Sequence, residues 1–204
     1  MPLYPDIQEK FSLHALNTFH LESVARYFTE VETVEQVQEL IRSEVFQKNP
    51  LLLLGGGSNL LFIGNFKGIV VHLANKGKEI ISQSDNLVLV KAQAGENWHE
   101  FVSWCIEKGF GGLENLSLIP GNVGSCPIQN IGAYGIEVKN SIHSLEAIDL
   151  ESGELKTFGN KDCNFGYRDS IFKRELKGKV MIWSVTFELR LNTVVHLECR
   201  AIKR

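Results

Sequence analysis

The segment from Leu118 to Gly135 constrains the fold of this chain most, because neither a helix nor a strand accommodates it. Seven of the chain's 18 glycines lie between residues 109 and 135, and Pro120 and Pro127 interrupt the segment as well. Glycine lets bare backbone approach a ligand closely. Because apolar residues along the segment argue against disorder, the pattern predicts a long ordered loop that contacts a polar ligand. The alternative is a structural loop that carries contacts between subdomains.

The composition excludes several classes of protein. With 44% hydrophobic and 22% charged residues, the 204-residue chain is typical of soluble globular proteins. A net charge of −3 gives no general attraction to nucleic acid or to an anionic membrane. The four cysteines form no Cys-x-x-Cys pair, so we expect neither a disulfide framework nor a metal site. Neither a signal peptide nor a transmembrane stretch is recognisable, which predicts a cytoplasmic protein.

Capping residues predict two helices. Thr33 and Gln36 form a capping-box pattern ahead of apolar residues at helical spacing, and that helix should stop before Pro50. Asn97 should start a second helix, which Gly109 should end. The predicted inner face of the second helix consists of Trp98, Phe101, Val102, Cys105 and Ile106.

Apolar runs predict the strands of an α+β fold. The predicted buried strands are Leu51–Leu54, Ile69–Leu73 and Leu87–Ala92, and a hairpin should join 143–150 to 155–158. The clearest strand is Lys179–Leu191, where alternation is expected to place six apolar side chains on one face. These side chains are Met181, Trp183, Val185, Phe187, Leu189 and Leu191.

A second glycine-rich segment, Gly55-Gly56-Gly57-Ser58-Asn59, directly follows the predicted strand that ends at Leu54. Successive glycines let backbone N–H groups converge on an anion such as a pyrophosphate. The segment is not a P-loop, since no Gly-Lys-Ser/Thr follows, and it lacks the Gly-x-Gly-x-x-Gly fingerprint. Two interpretations stay open, a phosphate-binding turn and a tight turn between strands.

The third motif is Phe165–Lys173, in which Arg168 stands between Tyr167 and Asp169. An arginine in such a place can bind a carboxylate through two parallel hydrogen bonds, or it can stabilise a developing enolate. The alternative is an ordinary surface salt bridge formed within the Tyr-Arg-Asp triplet, which would contribute little to stability or to function.

In this order and spacing, the three motifs resemble the UDP-N-acetylenolpyruvoylglucosamine reductase family. The resembling runs are Gly-Gly-Gly-Ser-Asn from Gly55, Ile-Pro-Gly-Asn-Val-Gly from Ile119, Pro-Ile-Gln-Asn-Ile-Gly-Ala-Tyr-Gly from Pro127 and Gly-Tyr-Arg-Asp-Ser-Ile-Phe-Lys from Gly166. The runs Gly-Glu-Asn-Trp-His from Gly95 and Gly-Leu-Glu-Asn-Leu from Gly112 fit the same pattern. The resemblance extends from about Leu13 to Leu191.

The resemblance implies an α+β, FAD-binding fold of the vanillyl-alcohol-oxidase (PCMH) type with two α+β subdomains. It implies FAD as cofactor and NADPH as co-substrate, and the reduction of an enolpyruvyl UDP-sugar to UDP-N-acetylmuramate for peptidoglycan. The implied cofactor-binding residues are Gly55, Gly56, Gly57, Ser58, Asn59, Leu60, Ile119, Pro120, Gly121, Val123, Gly124, Ser125, Gln129, Asn130, Ile131, Ala133 and Tyr134. Tyr167 and Arg168 are the implied substrate-binding residues, and Arg168 is the implied catalytic residue. A second function class stays open, an FAD- or nucleotide-binding module without turnover.

The chain departs from the family's pattern towards its C-terminus. The family's catalytic serine and glutamate and its third, substrate-binding domain have no counterpart, and Cys199 and Arg200 stand where the family has a Tyr-Gly pair. A polar stretch at 75–86 divides the part of the chain that resembles the family. We therefore predict FAD-binding subdomains at 1–75 and 76–192, followed by a divergent tail at 193–204. Full-length family members are expected to be monomers, whereas for this chain we expect self-association through exposed apolar surface, and poor turnover.

Overall fold

The computed structural model describes residues 5–191. The predicted tail at 193–204, with Cys199 and Arg200, lies outside the described residues, as do residues 1–4 and 192. Among the described residues, no helix combines the length and the apolar character that crossing a membrane would require.

Three α-helices and twelve strands, joined by short 3-10 turns, make up the described part of the chain. The helices are α1 (Val34–Arg42), α2 (Glu44–Lys48) and α3 (Trp98–Glu107). The strands are β1 (Gln8–Ser12), β2 (Val24–Val31), β3 (Leu51–Leu54), β4 (Phe66–Leu73), β5 (Lys78–Gln83), β6 (Leu87–Gln93), β7 (Phe110–Gly111), β8 (Gly132–Ala133), β9 (Ile136–Glu137), β10 (Ile142–Asp149), β11 (Leu155–Gly159) and β12 (Val180–Leu191). This mixture confirms the predicted α+β class.

The strands form two main sheets. The first has the order β1-β2-β4-β3, and β4 pairs in parallel with both of its neighbours. The second has the order β11-β10-β12-β6-β5 and is antiparallel throughout, with β7 beside the end of β12. The predicted hairpin is confirmed as β10 and β11. The predicted subdomain boundary at residues 75 and 76 lies in the connection from β4 to β5 and stays a prediction.

One apolar core is shared by the two sheets. Val37 and Leu40 of α1, both fully buried, belong to the same cluster as Ile148, Met181 and Trp183 of the second sheet. A second and larger core packs α3 against the second sheet. The first sheet is therefore joined to the second by buried apolar contacts as well as by the chain.

A β-bulge in β12 divides its apolar side chains between these two cores. The pairing of β12 with β10 slips by one residue at Trp183. Met181 and Trp183 pack in the core that contains α1, whereas Val185, Phe187 and Leu189 pack in the core that contains α3. The predicted strand is confirmed, but the prediction that its alternate side chains share one face is wrong, because an inserted residue reverses the alternation.

The first predicted helix begins as expected but is interrupted. Thr33 and Gln36 form the predicted capping box of α1. The predicted stop before Pro50 is confirmed, since α2 ends at Lys48, but the helix is not continuous, because Ser43 adopts an extended backbone (φ −72°, ψ 146°). The Ser43 hydroxyl donates to Leu40 O at 2.7 Å and accepts from the amide of the residue three positions on. Ser43 therefore ends α1 and caps α2.

The second predicted helix is confirmed as α3. The Asn97 side chain accepts a hydrogen bond from Glu100 N at 3.1 Å, and Gly109 follows the helix with a φ of +75°. Four members of the predicted inner face are buried, namely Trp98, Phe101, Val102 and Cys105. The prediction for the fifth, Ile106, is wrong, because this side chain is 48% exposed on the outer side of the helix.

Candidate functional site

The glycine turn, residues 55–59, directly follows β3 and packs against two other backbone segments. A Cβ on Gly57 would lie 2.0 Å from Leu16 O, and the φ of Gly57 is +63°. A Cβ on Gly56 would lie 3.0 Å from the Cα of Gly121 in the long loop. Glycine at both positions lets backbone pack directly against backbone.

Backbone N–H groups of the glycine turn are unused by the protein. Within residues 5–191, the amides of Gly56, Gly57, Ser58 and Asn59 donate to no protein acceptor. Successive unpaired N–H groups in a turn make a site for an anion, because each carries a partial positive charge. This observation favours the phosphate-binding interpretation of the turn over a plain connection between strands.

The long loop, Leu118–Gly135, is held by backbone hydrogen bonds to the segment that precedes α3. Val123 N donates to Glu96 O and Gly124 N to Ala94 O, both at 2.9 Å. A Cβ on Gly124 would lie 2.5 Å from the Cβ of Ala94, so this close approach requires glycine. The loop is thereby fixed against the second sheet while Gly121 contacts the glycine turn.

The glycine turn and the long loop border an open cleft of about 850 Å³. Its lining consists of Leu53, Leu54, Gly55, Gly56, Gly57, Ser58, Asn59, Leu60, Trp98, Pro120, Asn122, Ser125, Cys126, Ile128, Gln129, Ile131 and Lys173. The part of the cleft accessible to water-sized molecules is about 230 Å³, below the roughly 300–1,000 Å³ typical of small-molecule sites, so the cleft is a partial and open site. Among these lining residues Lys173 alone carries a formal charge, which favours an anionic ligand.

Most of the predicted cofactor residues come together in this cleft. Residues 55–60, Pro120, Ser125, Gln129 and Ile131 line it directly. The predicted residues outside its lining are Ile119, Gly121, Val123, Gly124, Asn130, Ala133 and Tyr134. Val123 is fully buried, and so lies behind the cleft wall. The assignment of all these residues to a cofactor stays a prediction.

Asn130 shows why some predicted residues lie behind the cleft. This fully buried side chain donates from Nδ2 to Glu137 Oε1 at 2.9 Å and to Gly166 O at 2.8 Å, and its Oδ1 accepts from Lys139 N at 3.1 Å. Both donors of its amide group are used within the protein. Asn130 therefore ties the long loop to β9 and to the segment that carries Arg168.

Sequence reasoning missed seven residues of the lining, which are Leu53, Leu54, Trp98, Asn122, Cys126, Ile128 and Lys173. Three of them lie within the predicted loop and Lys173 ends the third motif, so their neighbours in sequence could have indicated them. Trp98 belongs to the Gly-Glu-Asn-Trp-His run from Gly95, which was a sequence signal for it. It begins α3 and is 1% exposed, and its Nε1 donates to Leu116 O at 2.7 Å.

The three described cysteines are buried. Burial raises the pKa of Cys105 and of Cys163 to about 12, and it raises the pKa of Cys126 well above its ordinary value. Since the thiolate is the reactive form, these thiols are poor nucleophiles. Among residues 5–191, no group of three His, Cys, Asp or Glu side chains is arranged to hold a metal ion.

A second cavity, of about 630 Å³, is also lined by part of the glycine turn. It shares Gly55, Gly56 and Asn122 with the cleft. Lys76 lines it as well, and its ammonium group donates to the backbone carbonyl of Gly95. The glycine turn thus borders two cavities, each with a lysine in its lining.

The third motif lines a cavity of about 690 Å³ together with the β8–β9 hairpin. Tyr134, Tyr167 and Arg168 are exposed in it. Arg168 has a φ of +53°, and its Nη2 donates to Gly132 O at 2.6 Å. Lys173 Nζ donates to Arg168 O at 3.0 Å. One side chain therefore connects the cleft to the cavity lined by Arg168, hereafter the arginine cavity.

The salt bridge considered for the Tyr-Arg-Asp triplet forms with a different arginine. Asp169 pairs with Arg174, and within residues 5–191 no carboxylate pairs with Arg168. A guanidinium has five N–H donors, so Arg168 keeps donors for a ligand carboxylate or oxyanion. The surface salt-bridge interpretation of Arg168 is therefore wrong.

Known proteins are similar to this chain over most of its length. A UDP-N-acetylenolpyruvoylglucosamine reductase from Flavobacterium johnsoniae is 50% identical over 184 residues, which cover 90% of this chain and 54% of the relative. Another from Bdellovibrio bacteriovorus is 46% identical over 198 residues, which cover 97% of this chain and 59% of the relative. The resemblance indicated by the motifs is confirmed, and the chain spans little more than half the length of these relatives.

Solved structures share the fold. A UDP-N-acetylenolpyruvylglucosamine reductase from Thermus caldophilus has a TM-score of 0.72 at 23% identity, covering 93% of this chain and 63% of its own. A p-cresol methylhydroxylase has a TM-score of 0.56 at 17% identity, covering 81% of this chain and 35% of its own. These likenesses confirm the predicted fold type. The model of the FAD-binding domain family matches residues 25–159, which contain the glycine turn and the long loop, and the chain therefore belongs to the family of FAD-binding domains.

Proposed function

We propose that this chain binds FAD in the cleft and carries the flavin-binding part of an NADPH-dependent reductase of peptidoglycan precursor synthesis. The proposed reaction reduces UDP-N-acetylglucosamine enolpyruvate to UDP-N-acetylmuramate. The observation that carries the proposal is the carboxylate-free guanidinium of Arg168 in a cavity that adjoins the cleft. The names of the relatives from Flavobacterium johnsoniae and Bdellovibrio bacteriovorus support the same reaction.

The residues of the cleft fit FAD. Four unpaired amides at 56–59 and one ammonium group suit a diphosphate, and no carboxylate in the described lining opposes it. We propose that the glycine turn and the 119–131 part of the long loop hold the dinucleotide, with Ala133 and Tyr134 at the border of the arginine cavity. When bound, the flavin supplies the hydride chemistry, while the protein supplies orientation and electrostatics.

Arg168 is the proposed catalytic residue, and Tyr167 its proposed partner in substrate binding. The bond from Arg168 Nη2 to Gly132 O fixes the guanidinium beside the long loop. Its remaining donors would bind the substrate carboxylate and stabilise negative charge that develops on the enolpyruvyl group. Tyr167, 85% exposed, offers a ring and a hydroxyl beside it.

The testing experiment measures NADPH oxidation that depends on the enolpyruvyl UDP-sugar. Removal of one pre-organised electrostatic donor commonly lowers kcat by roughly 10²–10³-fold, so Arg168→Met should reduce turnover by that order and leave flavin absorbance unchanged. Arg42→Met, at an exposed i,i+3 pair with Glu39, is the matched control. A chain that binds FAD but oxidises no NADPH with this sugar would instead be a binding module without turnover.

The proposal also covers partners and location. We propose a small-molecule UDP-sugar as substrate, no nucleic-acid or membrane partner, and a cytoplasmic location. Exposed apolar side chains support the proposal of self-association, since Phe19 is 63%, Leu61 66% and Ile63 97% exposed. Light scattering at increasing protein concentration tests it, and a monodisperse monomer would contradict it.

A further inference from the structure

We propose that Lys76 and Lys173 hold the diphosphate of the bound dinucleotide, each from one of two cavities that share part of the glycine turn. The inference rests on the proposed binding of FAD and adds two specific residues to it. Lys173 lines the cleft and Lys76 lines the second cavity, and the two cavities share Gly55, Gly56 and Asn122. The turn with the unpaired amides therefore contributes to two cavities that each contain a lysine.

Most described lysines that have a hydrogen-bond or ion-pair partner are paired with a carboxylate, whereas these two lysines donate to backbone carbonyls. Lys76 Nζ donates to the carbonyl of Gly95 and Lys173 Nζ to the carbonyl of Arg168. Neither has a carboxylate partner within residues 5–191. Five other lysines pair with a glutamate or an aspartate, namely Lys48, Lys78, Lys91, Lys139 and Lys156. An ammonium group has three donors, so Lys76 and Lys173 each keep two donors and an unneutralised charge.

The two cavities also differ from ordinary surface regions in the charges that line them. Neither cavity has an aspartate or a glutamate in its described lining. The unpaired amides of residues 56–59, all of which line the cleft, add further partial positive charge. A diphosphate carries one negative charge on each phosphate and accepts several hydrogen bonds, so its chemistry matches two ammonium groups and a row of N–H donors.

The two lysines contact different backbone carbonyls, so removing each of them should affect the protein differently. Lys76 contacts the segment at Gly95 that precedes α3, whereas Lys173 contacts the Arg168 backbone. Lys173 is thereby also a positioning residue, since it touches both the cleft and the turn that carries the arginine. Removal of Lys173 should weaken dinucleotide binding and loosen Arg168, whereas removal of Lys76 should weaken binding alone.

The test titrates FAD, ADP and riboflavin into Lys76→Met, Lys173→Met and the double variant at 50 mM and 300 mM salt. Each single variant should bind FAD and ADP about five-fold more weakly at low salt, as expected for the loss of one largely exposed charge pair. The double variant should lose about 25-fold if the two effects are independent. At 300 mM salt the losses should shrink, and riboflavin, which has no phosphate, should bind all variants equally.

Matched controls separate the possible explanations. Lys48→Met, at an exposed lysine paired with Glu44, should leave all affinities unchanged, and thermal unfolding should show equal stability for every variant. Lys173→Arg should restore most of the affinity for FAD. Unchanged affinities for FAD and ADP in both lysine variants would overturn the inference, as would an equal loss for riboflavin. A wild-type chain that binds no FAD would contradict the proposed function itself.

Discussion

The carbonyl oxygen of Leu16 lies only 2.0 Å from the place where a Cβ on Gly57 would stand. Gly57→Ala should therefore force the glycine turn away from its neighbour, and it would also strain a backbone with a φ of +63°. We expect a loss of on the order of 3 kcal/mol in the free energy of unfolding, together with loss of FAD binding. Gly64→Ala is the control, because a Cβ there would meet nothing within 4 Å. Equal thermal midpoints for the two variants would contradict the prediction.

Gly124 and Ala94 form a second close pair, and a compensating substitution can test it. Gly124→Ala would place two Cβ atoms 2.5 Å apart, so we expect a loss of about 1–3 kcal/mol in stability. Ala94→Gly in the same chain removes one of these atoms and should recover part of that loss, measured by urea unfolding as a double-mutant cycle. The recovery should be incomplete, because Ala94 Cα and O would remain 3.1 and 3.2 Å away. Strict additivity of the two changes would argue against the contact.

Stability should fall in acid partly through Asp149. A hydrogen bond from Lys156, then two from the backbone, lower the pKa of Asp149 from 3.8 to about 2. A carboxyl whose pKa is lower in the folded state stabilises the fold above its unfolded pKa, and that contribution disappears as pH falls from about 4 towards 2. Asp149→Asn should flatten this part of the pH profile of urea unfolding, while a Glu154→Gln control should retain it. A steep profile that Asp149→Asn does not change would assign the effect to other carboxyls.

The buried thiols should be unreactive in the folded protein. In a Cys199→Ser background, iodoacetamide at pH 8 should modify none of Cys105, Cys126 and Cys163, because burial raises the pKa of each. All three should react in 6 M guanidinium, as counted by mass spectrometry. Rapid modification of Cys126 alone in the folded state would show that the cleft wall opens.

Local signals predicted the regular elements well and the site in part. Thr33 and Asn97 marked the starts of two helices because each side chain accepts a hydrogen bond from the backbone N–H three residues on. This signal lies within four residues of sequence. The exposure of Ile106 and the bulge at Trp183 depend instead on which strands pack nearby. Lys173 and Trp98 each belong to a sequence motif, but only tertiary packing places them in the cleft. Tertiary contacts therefore decided the remaining members of the site.

The bulge at Trp183 has a mechanical consequence. By turning Met181 and Trp183 towards Val37 and Leu40, it makes the first and second sheets parts of one buried core. Moving the sheets apart would expose that core to water, at about 25 cal/mol for each Å² of apolar surface. A hinge motion is thereby suppressed. The shared core sets the distance across the cleft before a ligand binds, so the binding site is preformed. Only the loops can move when a ligand enters or leaves.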